Sequence, residues 1–194
     1  MAQARTLSLS GRTTDTLLIS CRLHDDAPTL DWDERGILQT FIRELHEPGV
    51  VELLTWCILP RSYRFLVYTN AAAGPTAGSD LTLIGAKMKI LQSRFRRWRK
   101  FQGVTAPLWK ERFKSSPLPD PGHVLAAAAS VDGIPVALGL VDDPEDYYFC
   151  GYHHACQGDR VARTGICKTL DPKPTSWAAC RQKYRRTLAK LSPD

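Results

Sequence analysis

The sequence predicts an α+β fold of ferredoxin-like type, in which an antiparallel sheet carries helices packed on one face. Two observations indicate it. Apolar segments rich in β-branched and aromatic residues, typical of strands, alternate with segments whose apolar residues recur every three or four positions, typical of helices. The resulting order is strand, helix, strand, strand, helix, strand, which suits an antiparallel α+β sandwich. With 194 residues the chain is long enough to bury a core.

The first four elements follow from local patterns. "LLISCR" (Leu17–Arg22) has the composition of a strand. "DERGILQTFIRELHE" (33–47) places apolar residues at helical spacing, and the Pro-Gly pair that follows ends the helix. Val50–Ile58 and Tyr63–Thr69 are the second and third strands, separated by Pro60. Phe65–Val67 are apolar without interruption, as in a strand that is covered on both faces.

A long helix is predicted from about Asp80 to Phe101. The preceding "NAAAGPTAGS" has the composition of a loop, Ser79 is suited to cap the helix, and Gly103 ends it. The apolar stripe of this helix is spaced by three and four: Leu81, Ile84, Met88, Leu91, Phe95 and Trp98. "LWKERFKSS" predicts a fourth strand within Trp109–Ser116, and "HVLAAAASV" predicts a short helix.

The composition changes after Gly158 to a basic, proline-containing segment. This segment ends in a helix capped near Thr175 or Ser176, with an apolar stripe formed by Trp177, Cys180, Tyr184, Leu188 and Leu191. We therefore expect two parts, a domain over residues 1–158 and a basic tail with one helix over residues 159–194.

Positive charge is concentrated in two blocks. Lys87–Lys114 holds ten Lys and Arg residues and one acid, and Arg160–Lys190 holds nine and one, whereas the whole chain has a net charge of only +6. Two basic blocks in an otherwise acidic chain are typical of proteins that bind the phosphates of nucleic acid. The alternative for either block is a solvated, charged helix face.

The composition argues against a membrane or secreted protein. The sequence has no apolar run of the length that spans a bilayer, and "MAQARTLSLSGRTTD" lacks the apolar core of a signal peptide. The six cysteines include no C-x-x-C pair. We therefore expect a cytoplasmic protein with reduced thiols and no membrane partner.

Three segments, in order along the chain, resemble one known family. Residues 58–67, "ILPRSYRFLV", resemble its segment "LMPNHVHLLV", and residues 108–116, "LWKERFKSS", resemble "hLWqgRFKS". Residues 130–149, "SVDGIPVALGLVDDPEDYYF", resemble "YIELNPVRAGLVxxPEDYpW". The family is that of the REP-associated tyrosine transposases, a branch of the HUH single-strand transposases. The spacing between the segments also matches, and the resemblance covers roughly Leu17 to Gly158.

The resemblance implies chemistry on single-stranded DNA. In that family two histidines on one face of a strand hold a divalent metal that polarises the scissile phosphate. A tyrosine on the following long helix attacks this phosphate and forms a phosphotyrosine intermediate, beside an imperfect hairpin that the protein recognises.

The sequence departs from the family at these catalytic positions. The two histidines correspond to Ser62 and Arg64, the preceding family asparagine corresponds to Arg61, and no tyrosine occurs between Tyr68 and Tyr147. A serine is a poor ligand for a dication and a guanidinium repels one. The resemblance therefore implies a degenerate member that has no metal cofactor, no catalytic residues and, by our interpretation, no enzymatic activity.

We accordingly predict a DNA-binding protein that recognises hairpin or single-stranded DNA. Arg64 is expected to replace the metal at a phosphate; the alternative is a salt bridge to Asp31, Asp33 or Glu34. Phe101 is the best stacking candidate, because Phe95 and Trp98 belong to the apolar stripe. The predicted nucleic-acid-binding residues are Arg61, Arg64, Arg94, Arg96, Arg97, Arg99, Lys100, Phe101, Lys110, Arg112, Lys114, Arg181, Arg185 and Arg186.

Two other functions stay open at this point. An active single-strand nuclease or transposase would need a substitute site drawn from His24, His153, His154 or Tyr184. A protein-interaction subunit would use the basic blocks to contact an acidic partner. A homodimer or a protein partner stays open as well. Cys150, His153, His154 and Cys156 could bind zinc by their chemistry, but their spacing matches no common zinc motif and favours packing and loop roles.

Overall fold

The computed structural model describes residues 14–70, 80–171 and 173–190. Several predicted features lie outside the described residues: positions 71–79 of the loop predicted over 70–79, with its cap Ser79, the side chain of Leu81, and the last stripe residue, Leu191. Asn70, the first residue of the predicted loop, ends β3 instead. Within the described part the elements are β1 Thr14–Arg22, α1 Trp32–Arg43, β2 Val51–Ile58, β3 Ser62–Asn70, α2 Asp80–Phe101, β4 Lys114–Leu118, α3 Pro121–Ala137, a 3₁₀ helix Pro144–Asp146, α4 Gly151–Cys156, α5 Arg160–Lys168 and α6 Trp177–Ala189.

The four strands form one antiparallel sheet in the order β2-β3-β1-β4. The predicted α+β fold class is confirmed. The predicted fourth strand lies later than expected, because Lys114–Leu118 pairs with β1 whereas Trp109 makes only an isolated bridge with Leu23.

Helices cover both faces of this sheet rather than the single face expected from the sequence. Thr55 and Trp56 are neighbours on β2 and therefore point to opposite faces. The Trp56 indole N–H donates to Gln39 of α1 at 3.0 Å, whereas the Thr55 hydroxyl donates to Asp132 of α3 at 2.7 Å. The buried apolar run Phe65–Val67 needs a layer on each side, which explains the second layer.

The long helix α2 belongs to the same layer as α1. Its residues Ile84, Met88 and Leu91 are at most 2% exposed, as predicted for the core stripe. The amide of Gln92 donates to the Tyr63 hydroxyl at 3.4 Å, so α2 lies on the face of β3 from which Tyr63 projects. After α2 the backbone of Gly103 adopts a φ of 82°, a conformation that glycine takes without steric cost.

The described part of residues 159–194 contains two helices, α5 and α6, where the sequence predicted one. The α6 stripe is buried at Cys180, Tyr184 and Leu188, as its spacing indicated. A disulfide between Cys167 and Cys180 joins α5 to α6, with a Cα–Cα distance of 5.6 Å. This corrects the expectation that all six cysteines are reduced thiols; the other four are free. The division of the chain at residue 158 stays a prediction.

A buried carboxyl connects the tail to the sheet. The Tyr184 hydroxyl of α6 donates to Asp132 at 2.6 Å, and the Thr55 hydroxyl of β2 donates to the other carboxyl oxygen. The backbone N–H of Tyr152 in α4 lies 3.4 Å from the same oxygen as Thr55. Asp132 is fully buried, so its hydrogen bonds hold α3, α4, α6 and β2 together.

Replacing Asp132 by asparagine should change how the free energy of unfolding depends on pH. Burial raises the pKa of Asp132 to about 7, from 3.8 for an ordinary aspartate. Between these two pKa values the folded state retains a proton that the unfolded state releases. The contribution of protonated Asp132 to the free energy of unfolding is therefore fully present below about pH 4 and is lost as the pH rises through 7. Between about pH 5 and 7 the wild type should lose roughly 2 kcal/mol relative to Asp132→Asn.

The quantity to measure is the difference in the free energy of unfolding between the wild type and Asp132→Asn at each pH. Burial lowers the pKa of His154 to about 4, and this shift gives a pH dependence of opposite sign over the same range. Because both proteins contain His154, its contribution cancels. Urea unfolding at pH 5, 6 and 7 measures the difference, and a difference that does not change with pH would contradict the assignment.

None of the helices in the described ranges is long and apolar enough to cross a membrane. The cytoplasmic location stays a prediction.

Candidate nucleic-acid interface

A cleft of about 450 Å³ lies at one end of the sheet, where β1 ends and β3 begins. Its walls combine strand ends, the segment 110–114, Ile134 near the end of α3 and Leu138, the residue after α3. The acidic residues of the lining are Asp25 and Glu111. The basic residues of the lining are Arg22, Arg61, Arg64, Lys110, Arg112 and Lys114. Five of the fourteen predicted site residues, drawn from two distant segments, therefore share this cleft.

Strand geometry aims Arg64 into the cleft. Side chains alternate along β3, so the buried Tyr63 and Phe65 face α2 while Arg64 faces the opposite side. Arg64 pairs with Ser20 of β1, and Ser20 in turn pairs with Lys114 of β4. Directly paired residues lie on the same face of an antiparallel sheet. The register therefore brings Arg64 and Lys114 to one surface.

The side chain of Arg64 makes no hydrogen bond or ion pair with another described residue, although it is half-buried. The acids considered as salt-bridge partners are engaged elsewhere or lie apart. Asp31 caps α1 by accepting from the backbone N–H of Glu34 at 2.8 Å, and Glu34 pairs with Arg99. Asp33 is exposed and forms no hydrogen bond or ion pair with the Arg64 side chain. The ion-pair alternative for Arg64 therefore has no support in the geometry.

The other cations of the cleft fall into two groups. Arg22 and Arg112 are exposed and, like Arg64, have no side-chain partner within the described ranges. Lys110 pairs with Asp25 at 2.7 Å, which lowers the pKa of that carboxyl, and Lys114 pairs with Glu111 at 2.9 Å. These two pairs are exposed ion pairs and are weak.

Arg61 has a structural role at the rim of the cleft. Its guanidinium donates to the backbone carbonyl oxygens of His24, Asp25 and Ala27 at 2.9 to 3.1 Å. These bonds fix the segment after β1 against the start of β3. Arg61 therefore contributes charge to the rim, but most of its donors are occupied.

The α2 cations do not share the cleft, because α2 lies on the other face of the sheet. Arg96, Arg97 and Lys100 are exposed and have no side-chain partner among the described residues. Arg94 pairs with Glu44 and covers the Phe41 ring at 4.2 Å. Phe101 is 81% exposed, as a stacking residue must be.

The prediction that Arg99 contacts DNA is wrong, because the side chain is buried. It is only 2% exposed, and its Nε donates to the buried carboxylate of Glu34 at 2.5 Å. The apolar stripe of α2 continues by fours from Leu91 through Phe95 to Arg99, so the helix turns this side chain inward. Arg99 links the last turn of α2 to the first turn of α1 and is not on the surface to contact DNA.

On α6 the predicted residues are divided between structural contacts and solvent. Arg181 pairs with Glu145 at 2.6 Å, and Arg185 pairs with Asp143 at 2.5 Å. Both therefore hold α6 against the segment after α3. Arg186 is exposed and has no side-chain partner among the described residues.

The residues at the cleft do not fit a divalent metal. Ser62 and Arg64 project into the cleft from one face of β3, and a serine hydroxyl is a poor ligand for a dication while a guanidinium repels one. In the described ranges no group of three or more His, Cys, Asp or Glu side chains is placed to hold a metal. The His153 ring lies 2.6 Å from the carbonyl of Glu145, and the His154 ring packs on Trp56 at 5.5 Å.

The fold is similar to that of solved structures. No family model matches the chain, and no curated protein matches it. A solved structure of a REP-associated tyrosine transposase bound to a REP hairpin superposes with a TM-score of 0.58, covering 81% of this chain and 87% of that one, at 15% sequence identity. The chain has a transposase-like fold. At this identity the similarity concerns the fold alone.

Arg22 is the cleft residue that the sequence analysis missed. It ends β1 and pairs with Ser62 of β3, so it occupies the same face as Arg64. The sequence does show an arginine at the end of the apolar strand β1. Its place in the cleft could be predicted only from the register between β1 and β3.

Proposed function

We propose that this chain is a DNA-binding protein of transposase-like fold that binds hairpin or single-stranded DNA without cleaving it. The observation that carries the proposal is the cleft with three arginines, Arg22, Arg64 and Arg112, that have no acceptor among the described residues. A guanidinium presents five donors in a planar fork that matches the oxygens of a phosphate. Three such groups around one cleft suit a nucleic acid backbone.

Two further considerations support DNA as the ligand. The structural neighbour is bound to a REP hairpin, and its fold extends over most of this chain. The sequence resemblance assigns the family's metal ligands to Ser62 and Arg64. Arg64 thus supplies fixed positive charge where the family uses a metal, without a group that could activate a nucleophile.

Replacing Arg64 by alanine should weaken hairpin DNA binding by roughly 10- to 100-fold, because a charge-assisted hydrogen bond to phosphate is lost. The melting temperature should change little, since Arg64 has no partner among the described residues to leave unpaired. Fluorescence anisotropy with a labelled hairpin measures the affinity, and a thermal melt measures the stability.

Arg96→Ala is the matched control, because Arg96 is equally unpaired but lies on α2, across the sheet. It should leave affinity for the hairpin nearly unchanged. A variant Arg64→Ala that melts several degrees lower and binds DNA normally would refute the phosphate contact. Cleavage of the hairpin in magnesium or manganese would refute the proposed inactivity.

The active-enzyme alternative has no favourable geometry at its leading candidate. Tyr184 is fully buried, and its hydroxyl donates to Asp132. It therefore cannot reach a phosphate unless α6 detaches. An acidic protein partner would use the same cleft as DNA, and competition between the labelled hairpin and polyglutamate would reveal such binding.

A further inference from the structure

Two large aromatic side chains are exposed together at the start of α1. Trp32 is 58% exposed and Tyr148 is 43% exposed, and their ring centroids lie 5.2 Å apart at an interplanar angle of 32°. The buried ring of Phe149 supports both, at 4.6 Å from Trp32 and 5.2 Å from Tyr148. The exposed rings of Trp32 and Tyr148 are therefore packed against a buried side chain that holds them in place.

Arg35 holds this aromatic pair in position. Its guanidinium lies 4.3 Å from the centre of the Phe149 ring and 5.8 Å from that of Trp32. The same group donates to the Tyr147 hydroxyl at 3.2 Å and to the Asp31 carbonyl at 3.1 Å. Because the rings are already ordered, binding a flat ligand on them costs little side-chain entropy.

The aromatic pair is joined to the rim of the basic cleft. The backbone N–H of Leu30, two residues before Trp32, donates to the Pro60 carbonyl at 2.7 Å. The backbone N–H of Ile58 donates to the Phe149 carbonyl at 3.0 Å. Leu59 and Arg61 of this same connection line the cleft. The segment 58–61 therefore separates the aromatic pair from the cleft by only a few residues.

We propose that Trp32 and Tyr148 form a stacking platform for one unpaired base of a strand whose phosphates occupy the basic cleft. This inference rests on the proposed DNA binding and specifies that the ligand includes an unpaired nucleotide. Aromatic side chains stack on any base, since every base has a π-face. Bases of a duplex already stack on each other, so only an unpaired base can occupy the platform.

The surrounding charges orient such a strand. Asp31, Asp33 and Asp146 are exposed beside the platform and repel phosphate, whereas the cleft attracts it. A DNA strand with its phosphates in the basic cleft and an uncharged base on the Trp32 and Tyr148 rings is electrostatically compatible with both surfaces. A cationic peptide would suit the carboxylates, but the neighbouring basic cleft would repel it.

The test compares a blunt hairpin with the same hairpin carrying a short single-stranded extension. Trp32→Ala should weaken binding of the extended hairpin roughly 5- to 100-fold and leave binding of the blunt hairpin unchanged. Trp32→Phe should retain most of the affinity, because a ring remains. Ile90→Ala is the matched control, since Ile90 is 59% exposed on α2 and lies outside the cleft and the platform.

A second readout avoids dependence on one variant. A 2-aminopurine placed in the extension should lose fluorescence on binding to the wild type, and both Trp32→Ala and Tyr148→Ala should abolish that loss. Equal affinity of wild type and Trp32→Ala for the extended hairpin, with 2-aminopurine still quenched, would overturn the platform while leaving DNA binding intact. Failure of the wild type to bind either hairpin would instead overturn the proposed function. Binding of a polylysine peptide that Trp32→Ala abolishes, with DNA binding unaffected, would assign the platform to a protein partner.

Discussion

Raising the salt concentration from about 50 to about 200 mM should weaken binding of a hairpin stem by about 500-fold. This value corresponds to about five phosphate contacts, since each contact in duplex DNA adds about 0.9 to the slope of the logarithm of affinity against the logarithm of salt. Three contacts come from the unpaired arginines of the cleft. Two more come from Lys110 and Lys114, whose exposed pairs with Asp25 and Glu111 are weak enough for DNA to displace.

The size of the salt effect distinguishes two modes of binding. If only Arg22, Arg64 and Arg112 contact phosphates, the loss over the same range is about 40-fold. If the DNA also reaches α2, reversing the charges of Arg96 and Arg97 should lower the slope by about two. We expect this double variant to keep the wild-type slope, because α2 lies across the sheet from the cleft. An affinity that does not depend on salt would exclude phosphate contacts as the basis of binding.

Replacing Arg99 by alanine should lower the free energy of unfolding by about 3–5 kcal/mol, because a buried carboxylate is left without its partner. Glu34 is 6% exposed and accepts from Arg99 through one oxygen, while its other oxygen accepts from the Asp31 backbone N–H at 3.0 Å. The charge therefore cannot turn to solvent without breaking the N-terminal cap of α1. Urea unfolding measures the loss.

The double variant Arg99→Met/Glu34→Gln should recover much of the stability, because no unpaired charge is buried. Arg96→Ala, an exposed change one turn earlier on α2, should alter the stability by no more than about 0.5 kcal/mol. If Arg99→Ala unfolded like the wild type and lost DNA affinity, the sequence-based assignment of Arg99 to the DNA surface would be restored.

The periodic elements were predictable because their apolar residues face one layer. The bounds of α2 follow from its stripe and from Gly103, and β3 follows from its uninterrupted apolar run. The same periodicity could have shown that Arg99 is buried, since it continues the spacing of Leu91 and Phe95. The charge of the side chain obscured this, because an arginine is buried only when a partner distant in sequence, here Glu34, compensates it.

Features that depend on tertiary contacts were not predictable from one sequence. The α5 helix has only nine residues, includes Gly165 and is held by contacts with β2. The Cys167–Cys180 disulfide depends on how α5 lies against α6. For the candidate site, alternation along β3 correctly separated Arg64 from Tyr63. The pairing of Arg22 with Ser62, and the aromatic pair of Trp32 with Tyr148, required the register and the packing of the whole domain.

The outer edge of β2 is occupied along its length. Near its start Val51 exchanges backbone hydrogen bonds with Glu47, and near its end Ile58 donates to Phe149. Between these points a Cβ atom added to Gly165 of α5 would lie 2.4 Å from the Leu54 carbonyl oxygen, so only glycine permits this approach. A strand from another molecule therefore cannot extend the sheet at β2, and this edge is protected from the strand-to-strand association that starts many aggregates.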